Sequence, residues 1–221
     1  METGLPIVAG VAISLASNAV FGGGIGEVSR ERDVRQTPKD GAFAIWGVIY
    51  LWLAVGAAYA WRERPNSQAC NLLGASLLLT AVWVPLFVRN TVPSLAAAAL
   101  VLLASVGCAI AAVALSGPFD RGDLPKSLLF DGALSLYGGW LCCAAFLGVG
   151  IAAKAWSGKE APEWGLYALS TCVSVASILL RSPVLPLPAM WAVALQREVG
   201  GLEYASLANL AVAAAVAVLR R

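Results

Sequence analysis

Residues 37–62 read TPKDGAFAIWGVIYLWLAVGAAYAWR. A Thr-Pro step and the charged pair Lys39-Asp40 lead into an apolar run that stops at Arg62. Its length, about twenty residues, suits a helix that crosses a bilayer. Phe43, Trp46 and Tyr50 are spaced i, i+3 and i+7, which places them on one helix face. Trp52 and Tyr59 fall on roughly the opposite face. A helix that is apolar all round but aromatic along one side reads as a membrane span with a distinguishable inner face.

Composition extends this reading to the whole chain. Hydrophobic residues make up 59 % and charged residues 13 %, with a mean hydropathy of +0.77. A soluble domain carries about 25 % charged residues. The chain is therefore an integral, multi-pass membrane protein whose first partner is the lipid bilayer. Residues 1–221 form one transmembrane domain, long enough for roughly six to eight spans. The expected architecture is all-α, a polytopic helix bundle. A net charge of +2 suggests no nucleic-acid partner.

The apolar runs predict spans at residues 5–22, 41–61, 69–88, 93–115, 127–153, 164–180 and 201–219. Val184 to Gln196 is short, interrupted by Pro186 and Pro188, and either crosses as an eighth span or does not. Segment 25–40 is the most charged stretch. It is either a solvated loop or a lid, because its far end enters the aromatic face of the second span. Asp123 and Pro125 mark a helix start before the fifth span. Small residues line one side of the fourth span (Ala97, Ser105, Ala109) and of the last (Ala205, Asn209, Ala213, Ala217), which lets a neighbouring backbone approach closely. Lysines and arginines divide almost evenly between the two sets of loops, so positive charge sets no orientation.

The chemistry-bearing residues are few. The chain has no histidine, which removes the commonest metal ligand, haem ligand and general base. Five cysteines lie in apolar runs without a CxxC pair and read as small core residues. No phosphate loop, HExxH or nucleophile elbow is present. The expectation is no catalytic residue, no metal site and no enzyme activity. Asp131 is the one acid well inside a span. It is either a functional intramembrane acid or an interfacial residue near Lys126 and the helix start. Tryptophan normally occupies the interface belt, and Trp46, Trp140 and Trp83 are candidates for a deeper position. Indole and phenol rings either wall a pocket for a flat apolar ligand or serve helix packing.

Two segments carry a family resemblance. Asn18, then Gly26-Glu27-Val28-Ser29, then Thr37-Pro38, then Phe43-Ala44-Ile45-Trp46-Gly47-Val48-Ile49-Tyr50 resemble the opening of the extended TspO/MBR-related family of tryptophan-rich sensory or translocator proteins. Leu134-Ser135-Leu136-Tyr137-Gly138-Gly139-Trp140 is similar to a motif on a later span of that family. The resemblance implies a five-helix core over about residues 5–153, with additional spans over about 163–219. It also implies a hydrophobic cavity that binds a porphyrin or other tetrapyrrole, or a sterol, often in a homodimer. Carried over residue by residue, the ligand-binding candidates are Phe43, Trp46, Tyr50, Ser135, Tyr137 and Trp140. Two other readings stand beside ligand binding or transport. One is an accessory, non-catalytic subunit of a larger respiratory or photosynthetic membrane complex. The other is a proton-coupled secondary transporter with Asp131 as its acid.

Overall fold

The computed structural model describes residues 4–35, 37–160, 162, 164–196 and 201–219. Helix α1 spans Leu5–Phe21 and α2 spans Gly23–Glu31. Their axes differ by 62°. Gly22 makes the bend, since a Cβ there would lie 2.4 Å from the Asn18 carbonyl oxygen. The charged stretch after span one is therefore partly helical. Its Glu27, Arg30 and Glu31 keep it from reading as a span, but not from coiling.

A 3-10 turn, Asp40–Ala44, leads into α3, Ile45–Glu63. Helix α4, Ser67–Val88, is capped by Asn66, whose side-chain oxygen accepts from Gln68 N and Ala69 N. Helix α5, Val92–Ser116, begins with a reciprocal Thr91–Ser94 capping box. The single turn α6, Leu124–Lys126, is capped by Asp123 at 3.1 Å, as expected. It continues through a π-helical turn, Ser127–Asp131, into α7, Gly132–Ser157. Helices α8 (Gly165–Leu180), α9 (Leu187–Ala194) and α10 (Gly201–Leu219) follow.

Five helices close into a ring. Helix α1 packs on α4, α4 on α5, α5 on α7, α7 with its π turn on α3, and α3 back on α1. This is the five-helix core expected for residues 5–153. Helices α8 and α10 pair with each other outside the ring, and α9 lies between α10 and α7. The outward faces carry Val48, Leu51, Val82, Leu100 and Val212, all more than half exposed, as lipid solvation requires.

Four helices are long and apolar enough to cross a membrane, and the bent α1–α2 pair counts as a fifth. With the shorter α8 and α10 the described residues hold seven apolar helices, inside the range read from hydropathy. The open case of Val184 to Gln196 is settled by length. Its helix α9 has 8 residues, about 12 Å at 1.5 Å per residue, against a hydrocarbon core of about 30 Å. It does not cross.

Hydroxyl groups tie the ring together where no water reaches. Pro85 has no N–H, so α4 leaves the Ala81 carbonyl free of its helical donor. Ser17 Oγ on α1 donates to that oxygen at 2.8 Å. Ser14 Oγ donates to Leu77 O at 2.7 Å. At the centre, Ser76 and Thr80 of α4, Ser105 of α5 and Tyr137 of α7 form one cluster. Thr80 and Tyr137 hydroxyls lie 2.8 Å apart, and Ser76 and Ser105 hydroxyls 2.8 Å apart. Each such interhelical bond contributes about 0.6–2 kcal/mol.

Candidate functional site

The fully buried stripe of α3 is Ile45, Ile49, Leu53, Ala57 and Ala60, aliphatic rather than aromatic. The rings predicted to mark its inner face sit along one edge of that stripe, half-buried. Phe43 and Trp46 face Trp140 of α7, each edge to face, with ring centres 6.2 Å and 6.1 Å away. Tyr50 stacks behind Trp46 at 5.5 Å, and its hydroxyl accepts from Asn18 Nδ2 at 2.7 Å. The opposite aromatic pair serves packing. Trp52 Nε1 donates to Leu128 O at 2.8 Å in the π turn, and Tyr59 stacks on Phe130.

Phe43, Trp46 and Trp140 wall a narrow cleft. Trp83 and Phe87 of α4 face it from another side, their rings 5.3 Å apart. Helix α2 and Pro38 cover it, and α9 supplies Ala189, Ala192 and Val193 as a further wall. Among the described residues no charged side chain lines it. The stretch leading into α3 is strapped down. Lys39 N donates to Leu195 O at 2.8 Å, and Trp191 Nε1 to Ala42 O at 2.9 Å. Lys154 Nζ donates to the Asp33 carbonyl and pairs with Glu160. That hydrogen bond holds the exposed Glu160 carboxyl below its ordinary range. Ile25, Ser29 and Pro38 thus turn into the cleft, while Glu27, Arg30, Glu31, Arg35 and Lys39 of the same stretch are exposed.

Phe146, Leu147 and Leu169 line the cleft and also a second groove, between α7 and α8.

Three of the six predicted residues, Phe43, Trp46 and Trp140, come together around the cleft, with Tyr50 stacked behind. Two do not join them. Tyr137 is fully buried in the hydroxyl cluster. Ser135 accepts from Ser182 Oγ at 2.7 Å and lines a small polar pocket of about 250 Å³ with Asp131 and Ser116. Asp131 and Ser135 share one face there, as their i, i+4 spacing predicts. Asp131 is 2.9 Å from Lys126 Nζ and accepts from the Ser116 hydroxyl. Lys126, the neighbour named in the interfacial alternative, is its ion-pair partner. Sequence reasoning missed Phe87, four residues after Trp83 on the same face of α4. It also missed the wall from α9, which no local pattern reveals.

Two of the residues that line the cleft carry a buried donor without an acceptor. Trp83 and Trp140 are buried, and neither indole N–H has a partner among the described residues. Leaving such a group unpaired costs about 1–3 kcal/mol. No group of histidine, cysteine or acidic side chains that could hold a metal occurs among the described residues. The cleft can surround an apolar ring with aromatic and aliphatic side chains.

A family model described as TSPO-like protein matches residues 3–219, nearly the whole chain. The chain belongs to the TSPO-like family. No curated protein and no solved structure matches it. The family match runs through α8, α9 and α10 as well as the ring. Membership and the apolar helices together make it a multi-pass integral membrane protein with a helical bundle in contact with lipid.

Proposed function

We propose that this TSPO-like protein binds, and passes on, a planar hydrophobic ligand of the tetrapyrrole or sterol class, without catalysing a reaction. The observation that carries this is the uncharged cleft walled by Phe43, Trp46 and Trp140 set edge to face. A flat ring buries its surface against such walls. The groove between α7 and α8 borders the cleft at Phe146, Leu147 and Leu169, and movement of these side chains would admit a ligand dissolved in the bilayer.

The accessory-subunit reading needs faces free for docking, and the small-residue stripes were its candidates. Ser105 and Ala109 of α5, and Ala213 and Ala217 of α10, are buried within the chain itself, while Ala97 and Asn209 are half-buried and Ala205 is exposed. That favours the ligand-binding reading.

The test is a tryptophan-fluorescence titration of detergent-purified protein with protoporphyrin IX, beside Trp46→Ala and Trp140→Ala. Saturable quenching that weakens in both variants supports the proposal. Linear quenching of equal slope in all three proteins removes it.

A further inference from the structure

An apolar groove lies between α7 and α8. Gly150 and Ala153 of α7 and Gly165 and Ala168 of α8 line it, and side chains this small leave the space between the helices open. Its depth in the bilayer follows from α7. About 35 Å of helix separates Asp131, paired with Lys126 at one end, from Lys154 near the other. The hydrocarbon core is about 30 Å thick, so Lys154 stands at the opposite headgroup level. Phe146, at the inner end of the groove, lies about 12 Å of helix below Lys154. The groove therefore runs from the headgroup level into one leaflet, about 15 Å deep.

The lining changes along that run. Phe146, Leu147, Ala168 and Leu169 make the inner part, and Ser157, Lys159 and Glu160 the outer end. Gly158, at φ +70°, ends α7 in a left-handed cap, and Lys159 N donates to Ser157 Oγ at 3.2 Å, so the chain turns at the outer end of the groove. Glu160, the acid that could meet a choline group, is taken by Lys154. Lys159 is exposed and has no ion-pair partner among the described residues. An apolar channel topped by a free ammonium has the polarity, in the same order, of an acyl chain joined to a phosphate. We propose that this groove holds one anionic phospholipid of that leaflet, its acyl chain between α7 and α8 and its phosphate against Lys159. The site lies on the other side of Phe146, Leu147 and Leu169 from the aromatic cleft. It goes beyond the proposed function and does not rest on the ligand of that cleft.

The full-length chain, stripped of lipid by detergent washing, is titrated with phosphatidylglycerol or with phosphatidylcholine of the same acyl chains, and bound lipid is counted by native mass spectrometry. Wild type saturates at one phosphatidylglycerol per chain. It binds that lipid about five-fold tighter than phosphatidylcholine, the effect of one lysine beside an anionic headgroup. Lys159→Gln brings the ratio to about one while a lipid still binds. Ala153→Phe puts a ring into the groove from an exposed position of α7 and weakens both lipids together. Ala168→Phe does the same from α8 should the first variant not fold. A lipid count that rises without saturating overturns the site. The same lipid preference in wild type and Lys159→Gln overturns the contact with Lys159. Unchanged binding of both lipids in the folded ring variants removes the lipid from this groove. A lipid-free dimer that the ring variants split into monomers gives the groove to a second copy of the chain and overturns the proposal as well.

Discussion

Adding one methyl group at Gly139, and separately at Gly138, is expected to move stability in opposite directions. Both glycines lie within α7, where Ala is favoured over Gly by about 1 kcal/mol through backbone entropy alone. At Gly138 a Cβ meets Ile110 Cδ1 at 3.6 Å and Ala109 Cβ at 3.8 Å, ordinary contacts. Gly138→Ala is therefore expected to stabilise by up to about 1 kcal/mol. At Gly139 the Cβ falls 2.1 Å from the Leu185 carbonyl oxygen and 3.2 Å from Pro188 Cδ. A backbone carbonyl cannot rotate away as a side chain can, so the segment leading into α9 must move. Overpacking of this kind costs about 1–3 kcal/mol, which leaves Gly139→Ala about 1 kcal/mol less stable than wild type after the propensity gain. The two variants then differ by roughly 2 kcal/mol, or about 4–8 °C in melting temperature for a chain of this size. Thermal unfolding of both in one detergent, read by near-ultraviolet circular dichroism, makes the comparison. Because α9 walls the cleft, Gly139→Ala should also weaken protoporphyrin quenching. A Gly139→Ala protein that melts at or above wild type would refute the close seating of α9 on α7.

Three further outcomes follow from other contacts. Tyr137→Phe removes one hydroxyl from the central cluster, but Thr80 keeps Ser76 O and Ser76 keeps Ser105, so nothing is orphaned. The expected cost is about 0.5–1 kcal/mol with ligand quenching unchanged, and a loss above about 2 kcal/mol would contradict the network. Asp131→Asn breaks the pair with Lys126, whose Nζ retains Ser116 O at 2.8 Å, and should cost about 1–3 kcal/mol without altering ligand affinity. An uptake assay in liposomes that lost its pH dependence in this variant would instead support the proton-coupled reading. Lys154→Met releases the Asp33 carbonyl and Glu160, so trypsin should cut faster after Arg35 or Lys39, and an unchanged digestion rate would show that Lys154 holds nothing. In wild type the folded Glu160 carboxyl lies below its ordinary value, so its contact with Lys154 is complete above about pH 4.5 and is lost as pH falls further. Hydrogen exchange over residues 33–35 and 37–39, corrected for intrinsic rates, should rise only as pH falls below the ordinary glutamate range.

Within the candidate site, legibility followed sequence distance. Phe43 and Trp46 share a helix edge by spacing alone, and Asp123 and Pro125 announce their helix start in three residues. Ser135, Tyr137 and Trp140 lie within six residues of one another in one motif. Yet they serve a polar pocket, a hydroxyl cluster and the cleft respectively. Successive residues on a helix point about 100° apart, so a contiguous motif is distributed among several neighbours.

A bundle of apolar helices in a membrane, most of the helix ends, and the ring pair Phe43 and Trp46 at the head of the second span are all legible in consecutive residues. Hydropathy, caps and periodicity are local properties. That α9 stops short of crossing, that α2 folds back as a cover, and that Trp83 and Trp140 lack acceptors among the described residues while Trp52 and Trp191 have them emerge only once the helices are packed. Each of those facts depends on which segment lies beside which. In a bilayer that choice rests on close packing and interhelical hydrogen bonds, because apolar surface distinguishes one helix neighbour from another only weakly.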